Sequence, residues 1–285
     1  MKRHILSCAA ALWLAGCAAA VADDYATRVL EATFKVFHKD STATGFLIAP
    51  PSELKLPERH VLLATAAHIL ERSTGETMLL VLRQPVGDGT FKRRDVPIAV
   101  RKGRQPLWTK HKQEDAAVLT VQLPTDAVAR PLPLEALADE AALRAARLHV
   151  CSGLCVLGFP TRFESNAAGF PVARHATVAS HPLAPVAAHR TFLADFCTFP
   201  GDSGGPVFLA DPRRAADGDD APPLIVGMVT GHFRHDEKLD MLFEERTIHH
   251  PLGLGIVLHS QYVRETIAQL QPPAAEKAEQ KAGAP

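Results

Sequence analysis

The chain has 285 residues, enough for one large domain or two small ones. Its composition, 47% hydrophobic and 22% charged, is ordinary for a globular protein, and a formal net charge of zero gives no pointer to nucleic acid or an anionic surface as partner. Fourteen histidines are scattered without an HExxH or a paired Cys/His spacing, so neither a metal site nor another cofactor is expected.

In chain order, Lys2, Arg3 and His4 form a basic start. The apolar run at residues 5–16 is too short to span a bilayer stably. It ends Leu14-Ala15-Gly16-Cys17, which resembles the lipobox of bacterial lipoproteins, where the cysteine is lipidated and becomes the first mature residue. The rival is ordinary cleavage after Ala20-Val21-Ala22, giving a soluble secreted protein. In both cases residues 1–22 read as a signal peptide and the mature protein is exported. The lipobox implies a periplasm-facing lipoprotein of a bacterial envelope whose membrane contact is the lipid on Cys17. Beyond Cys17 the cysteines are Cys151, Cys155 and Cys197. An odd number cannot all pair internally. Cys151 and Cys155 either close a short disulfide loop in an oxidising compartment or remain two half-buried thiols, and Cys197 is the candidate free thiol.

Residues 27–37 are rich in β-formers and read as a strand. Residues 44–48 and 60–65 read as a strand pair joined across Pro50-Pro51, and 78–82, 96–100 and 116–121 as further short strands. Residues 132–147 break the pattern as a connector with a short helix. Strands resume at 148–150, 156–158, 174–179, 191–194, 206–209, 224–230 and 252–258. Residues 259–270 carry Tyr262, Val263, Ile267 and Leu270 at helical spacing and read as a closing helix. Residues 211–223 and 234–246 read as solvated surface loops, and 272–285 as a disordered tail. Short strands at regular spacing indicate an all-β barrel or sandwich.

Gly201-Asp202-Ser203-Gly204-Gly205-Pro206 is the most informative stretch. It sets one serine on a glycine-rich turn beside free backbone N–H groups, as acyl transfer requires. Leu63-Ala64-Thr65-Ala66-Ala67-His68 and Glu114-Asp115-Ala116-Ala117-Val118-Leu119 precede it. In this order, the three motifs resemble those of chymotrypsin-like and trypsin-like serine proteases. Val156-Leu157-Gly158-Phe159-Pro160 and the stretch from Phe199 to Pro206 look more like the bacterial, HtrA-like protease domain, here without room for a PDZ domain.

The resemblance implies two packed antiparallel six-stranded Greek-key barrels. They would lie at residues 25–131 and 148–258, joined by 132–147 and followed by a helix at 259–271. It assigns the general base to His68, the orienting carboxylate to Asp115 and the nucleophile to Ser203. The backbone N–H groups of Gly201 and Ser203 form the oxyanion hole. The residue types suit the chemistry. A serine hydroxyl needs a base within reach, histidine titrates near neutrality, and a carboxylate holds the imidazole in one tautomer and stabilises its transient charge.

By family position, Cys197, Thr198 and Pro200 lie at the specificity pocket. Thr230, Gly231 and His232 pair with the substrate backbone, and Gly253 or Gly255 lines the far wall. No acid is visible at the pocket base, so a small or apolar side chain before the scissile bond is the default. His232 is either a recruiter of an acidic side chain or a partly exposed strand-end histidine. No activation N-terminus of the I-V-G-G kind follows the signal, so Asp202 either needs another partner, such as an arginine or a backbone donor, or is simply solvated. The expected activity is serine endopeptidase. A catalytically silent binding or chaperone protein, or an esterase using the same triad, are the alternatives.

Overall fold

The structure, a computed structural model, describes residues 24–39, 41–127, 129–210, 224–241 and 244–270. Residues 1–22 with Cys17, read as a signal peptide, and the stretches 211–223 and 272–285, read as a loop and a tail, lie outside the described residues.

Residues 27–37 are not one strand. The Asp24 carboxylate accepts the Thr27 N–H at 2.7 Å and caps helix α1 (Tyr25–Ala32), whose Val29 and Ala32 are buried three residues apart. The cap and the buried stripe outweigh the β-branched content, and the chain turns extended only at β1 (Thr33–His38). There follow β2 (Ser41–Ile48), β3 (His60–Thr65), helix α2 (Ala67–Arg72), β4 (Thr77–Gly87) and β5 (Thr90–Ala99). The short pair β6 (Arg101–Lys102) and β7 (Gln105–Pro106) leads to β8 (Trp108–Lys110) and β9 (Ala117–Gln122).

Seven of these strands form one sheet in the order β5-β4-β1-β2-β3-β9-β8, with β6 and β7 as a separate ribbon. The first barrel thus departs from six strands. Gly87, Asp88 and Gly89, all at positive φ, close a long β4–β5 hairpin, and β8 is added at the other edge through Trp108 opposite Leu119.

The connector holds helix α3 (Glu140–Ala145), capped by Asp139 accepting the Ala142 N–H at 2.8 Å. The second half is a closed six-stranded barrel in the order β10-β11-β12-β15-β14-β13. Its strands are β10 (Gly153–Gly158), β11 (Val172–Val178), β12 (Thr191–Asp195), β13 (Pro206–Leu209), β14 (Ile225–Asp240) and β15 (Glu245–His259). Residues 148–150 stay outside its strands. The closing helix is α4 (Ser260–Ala268), burying Tyr262, Val263 and Ile267 as the spacing implied. The protein is therefore mostly β, in two packed halves around a continuous apolar core.

Within the stretch 234–246 read as a loop, residues 234–240 and 245–246 are strand. β14 and β15 run on beyond the barrel as a two-stranded arm, with Arg234 opposite Pro251 and Asp240 opposite Glu245. Both faces of the arm meet water, so the apolar alternation that marks a half-buried strand is missing from its sequence. Cross-strand charges hold it: His249 Nδ1 lies 2.7 Å from Asp236, His250 Nε2 2.9 Å from Glu237, and Lys238 Nζ 3.3 Å from Glu245.

Two basic side chains of the first half tie the halves together. Arg83 is buried, and burial lowers its guanidinium to about 9, which leaves it charged at neutral pH. It donates to the Leu30, Glu31 and Thr33 carbonyls at 3.2, 2.9 and 3.0 Å, where α1 ends, so the cation meets the negative end of the helix. Its guanidinium lies 4.2 Å from the Phe34 ring and 4.4 Å from that of Phe170, which belongs to the second half. Lys35 Nζ donates to the Arg162 carbonyl at 2.9 Å and to Glu164 at 2.7 Å.

Candidate active site

His68 stands in the first turn of α2, immediately beyond β3, and Asp115 precedes β9, which pairs with β3. That pairing brings the two together. Asp115 Oδ1 accepts the His68 backbone N–H at 2.9 Å, and Oδ2 lies 2.6 Å from His68 Nδ1. The carboxylate thus fixes both the position of the residue and the orientation of its ring, and leaves Nε2 as the nitrogen available to a reacting hydroxyl.

Ser203 comes from the loop before β13, and Thr44 of the first barrel ties that loop to the histidine. The Thr44 N–H donates to the Ser203 carbonyl at 2.9 Å, and its hydroxyl to the Gly201 carbonyl at 2.7 Å. The Thr44 carbonyl in turn accepts the Thr65 hydroxyl at 2.8 Å, three residues before His68. The Gly204 N–H donates to the Val229 carbonyl at 2.7 Å, so β14 also borders the loop.

The loop's conformation requires its glycines. Gly201 has φ of +107°, and a Cβ there would collide with the Phe159 carbonyl oxygen. At Gly204, φ is +89° and a Cβ would strike the Thr44 carbonyl. The Thr161 N–H donates to the Pro200 carbonyl at 2.7 Å. Since carbonyl and N–H point opposite ways in a trans peptide, this bond directs the Gly201 N–H away from Thr161. Among the described residues, neither the Gly201 nor the Ser203 N–H donates to another backbone group. Both are left as donors for a ligand oxygen.

Asp202 is fully buried and has the partner it needs. Arg174 Nη2 donates to its Oδ1 at 2.5 Å, and the Phe199 N–H donates to its Oδ2 at 2.8 Å. Arg174 also donates through Nη1 to the Cys197 carbonyl at 2.8 Å, and its guanidinium lies 5.4 Å from the Phe196 ring. One arginine therefore holds both ends of the stretch from Cys197 to Asp202. Arg174, Thr161 and Thr44 were not singled out from sequence. The usable signal was an arginine on β11 in phase with inward-facing Ala176 and Val178. Thr161 acts through its backbone N–H, and Thr44 through its backbone and its hydroxyl, and neither left a comparable mark.

The described residues contain no group of histidines, cysteines and carboxylates able to hold a metal ion. The model of the family described as Trypsin matches residues 32–239 of this sequence. The chain belongs to the trypsin family. It therefore carries a serine protease domain, and proteins or peptides are the substrates such a protease acts on. Two similar solved structures are of the Rv3671c protein of M. tuberculosis H37Rv. A serine-to-alanine mutant in an inactive form is 18% identical over 86% of this chain and 89% of that one, with a TM-score of 0.45. The Rv3671c protease in its inactive form is 16% identical over 88% and 94%, with a TM-score of 0.47. A comparison with curated protein sequences found no match.

Of the residues expected at the specificity pocket, Thr198 is buried while Cys197 and Pro200 are exposed. Gly255 is packed so closely on Phe196 that a Cβ would run into the ring, and its neighbour Thr198 lies almost as near. Gly253, at φ of +72°, has open space and accepts the Phe196 N–H at 2.9 Å. Thr230 and Gly231 are half-buried on β14, and His232 is exposed beside them. No disulfide joins Cys151 and Cys155. Cys151 stands in a turn at φ of +67°, whereas Cys155 lies inside β10 opposite His175, its Sγ 4.0 Å from Nδ1. Partial burial pushes the Cys155 thiol upward. Cys197 is likewise free and exposed.

Proposed function

We propose that the protein is an exported serine endopeptidase that cleaves peptide bonds through an acyl-enzyme, with Ser203 as nucleophile, His68 as general base and Asp115 as its orienting partner. The 2.6 Å contact between His68 Nδ1 and Asp115 carries this reading. His68 takes the Ser203 proton on Nε2 as Oγ attacks the scissile carbonyl carbon. The carbonyl oxygen becomes an oxyanion facing the Gly201 and Ser203 N–H groups. The imidazolium then protonates the departing amine, which leaves an ester on Ser203. Water attacks that ester, His68 accepting its proton and returning it to Ser203 as the acid product departs.

The Arg174–Asp202 pair supports activity without a newly cut N-terminus, because the loop carboxylate already has a cation from the same chain. The buried Phe196 ring against Gly255 and the lack of an acid at the pocket base favour a small or apolar residue before the scissile bond. Export rests on residues 1–22, and lipid attachment on Cys17. Cys17→Ser should release the mature protein from membranes.

Profiling on proteome-derived peptides tests the activity. Wild type should cut within peptides, and Ser203→Ala should be slower by at least about four orders of magnitude. A Ser203→Ala protein as active as wild type would remove Ser203 from the mechanism. Failure of a fluorophosphonate to label folded mature wild type would favour a silent binding protein, and turnover of nitrophenyl esters without peptides an esterase.

A further inference from the structure

β14 changes character along its length. At its start it is a barrel strand between two neighbours, paired with β13 through Ile225, Gly227 and Met228 and with β15 on the other side. Beyond Val229, among the described residues, β15 is its sole strand partner. From Thr230 to Asp240 the outer edge therefore offers unpaired N–H and C=O groups, a template for another extended chain. The edge begins at the residues assigned to substrate pairing, Thr230, Gly231 and His232. It does not stop there.

Its continuity is visible in the register. Val229 opposes Val257 and Gly231 opposes Ile256, so the first irregularity places its extra residue, Thr230, in β14. Phe233 opposes Leu254 and Arg234 opposes Pro251, so the second places its extra residues, Leu252 and Gly253, in β15. β14 itself runs unbroken from Gly231 to Asp240, an edge of roughly 30 Å at strand rise.

We propose that this edge is an extended substrate platform, which takes an unfolded polypeptide segment as an added antiparallel strand along the arm. The inference rests on the endopeptidase reading and names the substrate class. Direction follows from geometry. Ser203 lies at the Val229 end, through the Gly204–Val229 hydrogen bond. A segment antiparallel to β14 with its scissile bond at Ser203 must send its N-terminal side toward Asp240. The arm then reads residues well before the cut, about nine of them, through backbone hydrogen bonds that are indifferent to sequence. Apolar side chains find places along it. Phe233 is exposed and lines a cavity of about 300 Å³ with Pro182, His189, Phe192, Leu193 and Ile256. Leu239 and Ile248 lie exposed on one face of the arm.

A second copy is the competing occupant, and the continuity of the edge with Thr230–His232, next to the Gly204–Val229 bond, favours the substrate strand over it. Two arms paired about Glu237 would match Arg234 with Asp240 and Asp236 with Lys238. The same pairing sets Glu237 against its own copy, where like charges directly opposite are unfavourable.

The test uses peptides with identical residues around the scissile bond and about three, six or nine residues on its N-terminal side. On wild type, kcat/KM should rise about tenfold or more from the shortest to the longest. A variant with residues 235–250 replaced by Asn-Gly should cleave the shortest peptide at the wild-type rate and lose the increase. N-methylating alternate residues five to nine places before the bond should abolish the gain on wild type itself, whatever the shortened variant does. Fluorescence anisotropy on Ser203→Ala with the same peptides reads the platform without turnover. Length-dependent binding there, with an inert wild type, would sink the endopeptidase reading and leave the platform standing. Equal kcat/KM at all lengths with equal binding, or a gain that survives loss of the arm, would overturn the platform. So would a wild-type dimer that loss of the arm converts to monomer without any length effect, which would assign the edge to a second copy.

Discussion

The loop at residues 199–206 and the arm at residues 234–251 are linked through β14, whose Val229 accepts the Gly204 N–H five residues before the arm begins, and they are held by opposite means. The loop is fixed from both barrels: Thr44 and Thr161 hold its carbonyls, Arg174 its buried carboxylate, and its glycines fit where no side chain can. The arm is held by its own ladder and by ion pairs in open water. In the proposed mechanism charge develops at the loop, and preorganised dipoles act only if they do not have to move when it does. The arm faces chains of varied sequence, and exposed backbone suits that task better than a shaped pocket.

This contrast can be broken at its strongest point first. Arg174→Met strands the buried Asp202 carboxylate, and unfolding stability should fall by about 3 kcal/mol or more, with peptidase activity lost alongside. Urea titration with activity measured in the same samples checks it, and an active, equally stable variant would show that the loop does not depend on its cation. Gly201→Ala forces a side chain into the Phe159 carbonyl and should cost about 3 kcal/mol of transition-state stabilisation, roughly a hundredfold or more in kcat. Single-turnover kinetics read that step directly.

Acid sharpens the comparison next. His259 is fully buried at the root of β15 with no hydrogen-bond partner for either ring nitrogen among the described residues, and desolvation lowers it to about 4. Unfolded, the same imidazole takes its proton near pH 6.5. The unfolded state thus binds more protons between these values. Stability should fall as pH drops from about 6.5 to about 4, by up to about 3 kcal/mol, and level off below. His259→Phe should flatten that slope in denaturation midpoints taken across the range. The smallest effect belongs to the arm. His249→Ala removes an exposed pair with Asp236, and neither the unfolding midpoint nor cleavage of short peptides should change measurably. A loss as large as that from Arg174→Met would erase the distinction.

What could be read from sequence divides along the same line. The proposed triad residues Ser203, His68 and Asp115 sit in short motifs whose residue types suit that chemistry, and β3 and β9 read as strands because each is a short apolar run buried along nearly its whole length. α1 was misread because Val29, Thr33 and Val36 favour strands, while its cap at Asp24 depends on one hydrogen bond. The arm was missed because a ribbon wet on both faces carries no apolar period. The sequence left the partner of Asp202 open between an arginine, a backbone donor and solvent, since Arg174 lies 28 residues away on β11. The spacing left the Cys151–Cys155 pairing open, and the two residues stand free, one in a turn and the other within β10.

Arg83, flanked by Phe34 and Phe170, has a mechanical consequence. Pulling the two halves apart would strip an aromatic face from a buried cation while it remained bound to the end of α1. The joint therefore resists peeling from either side, and heat should melt both barrels in one calorimetric transition. A nick in the connector would leave two fragments still clamped together, sharing one working cleft.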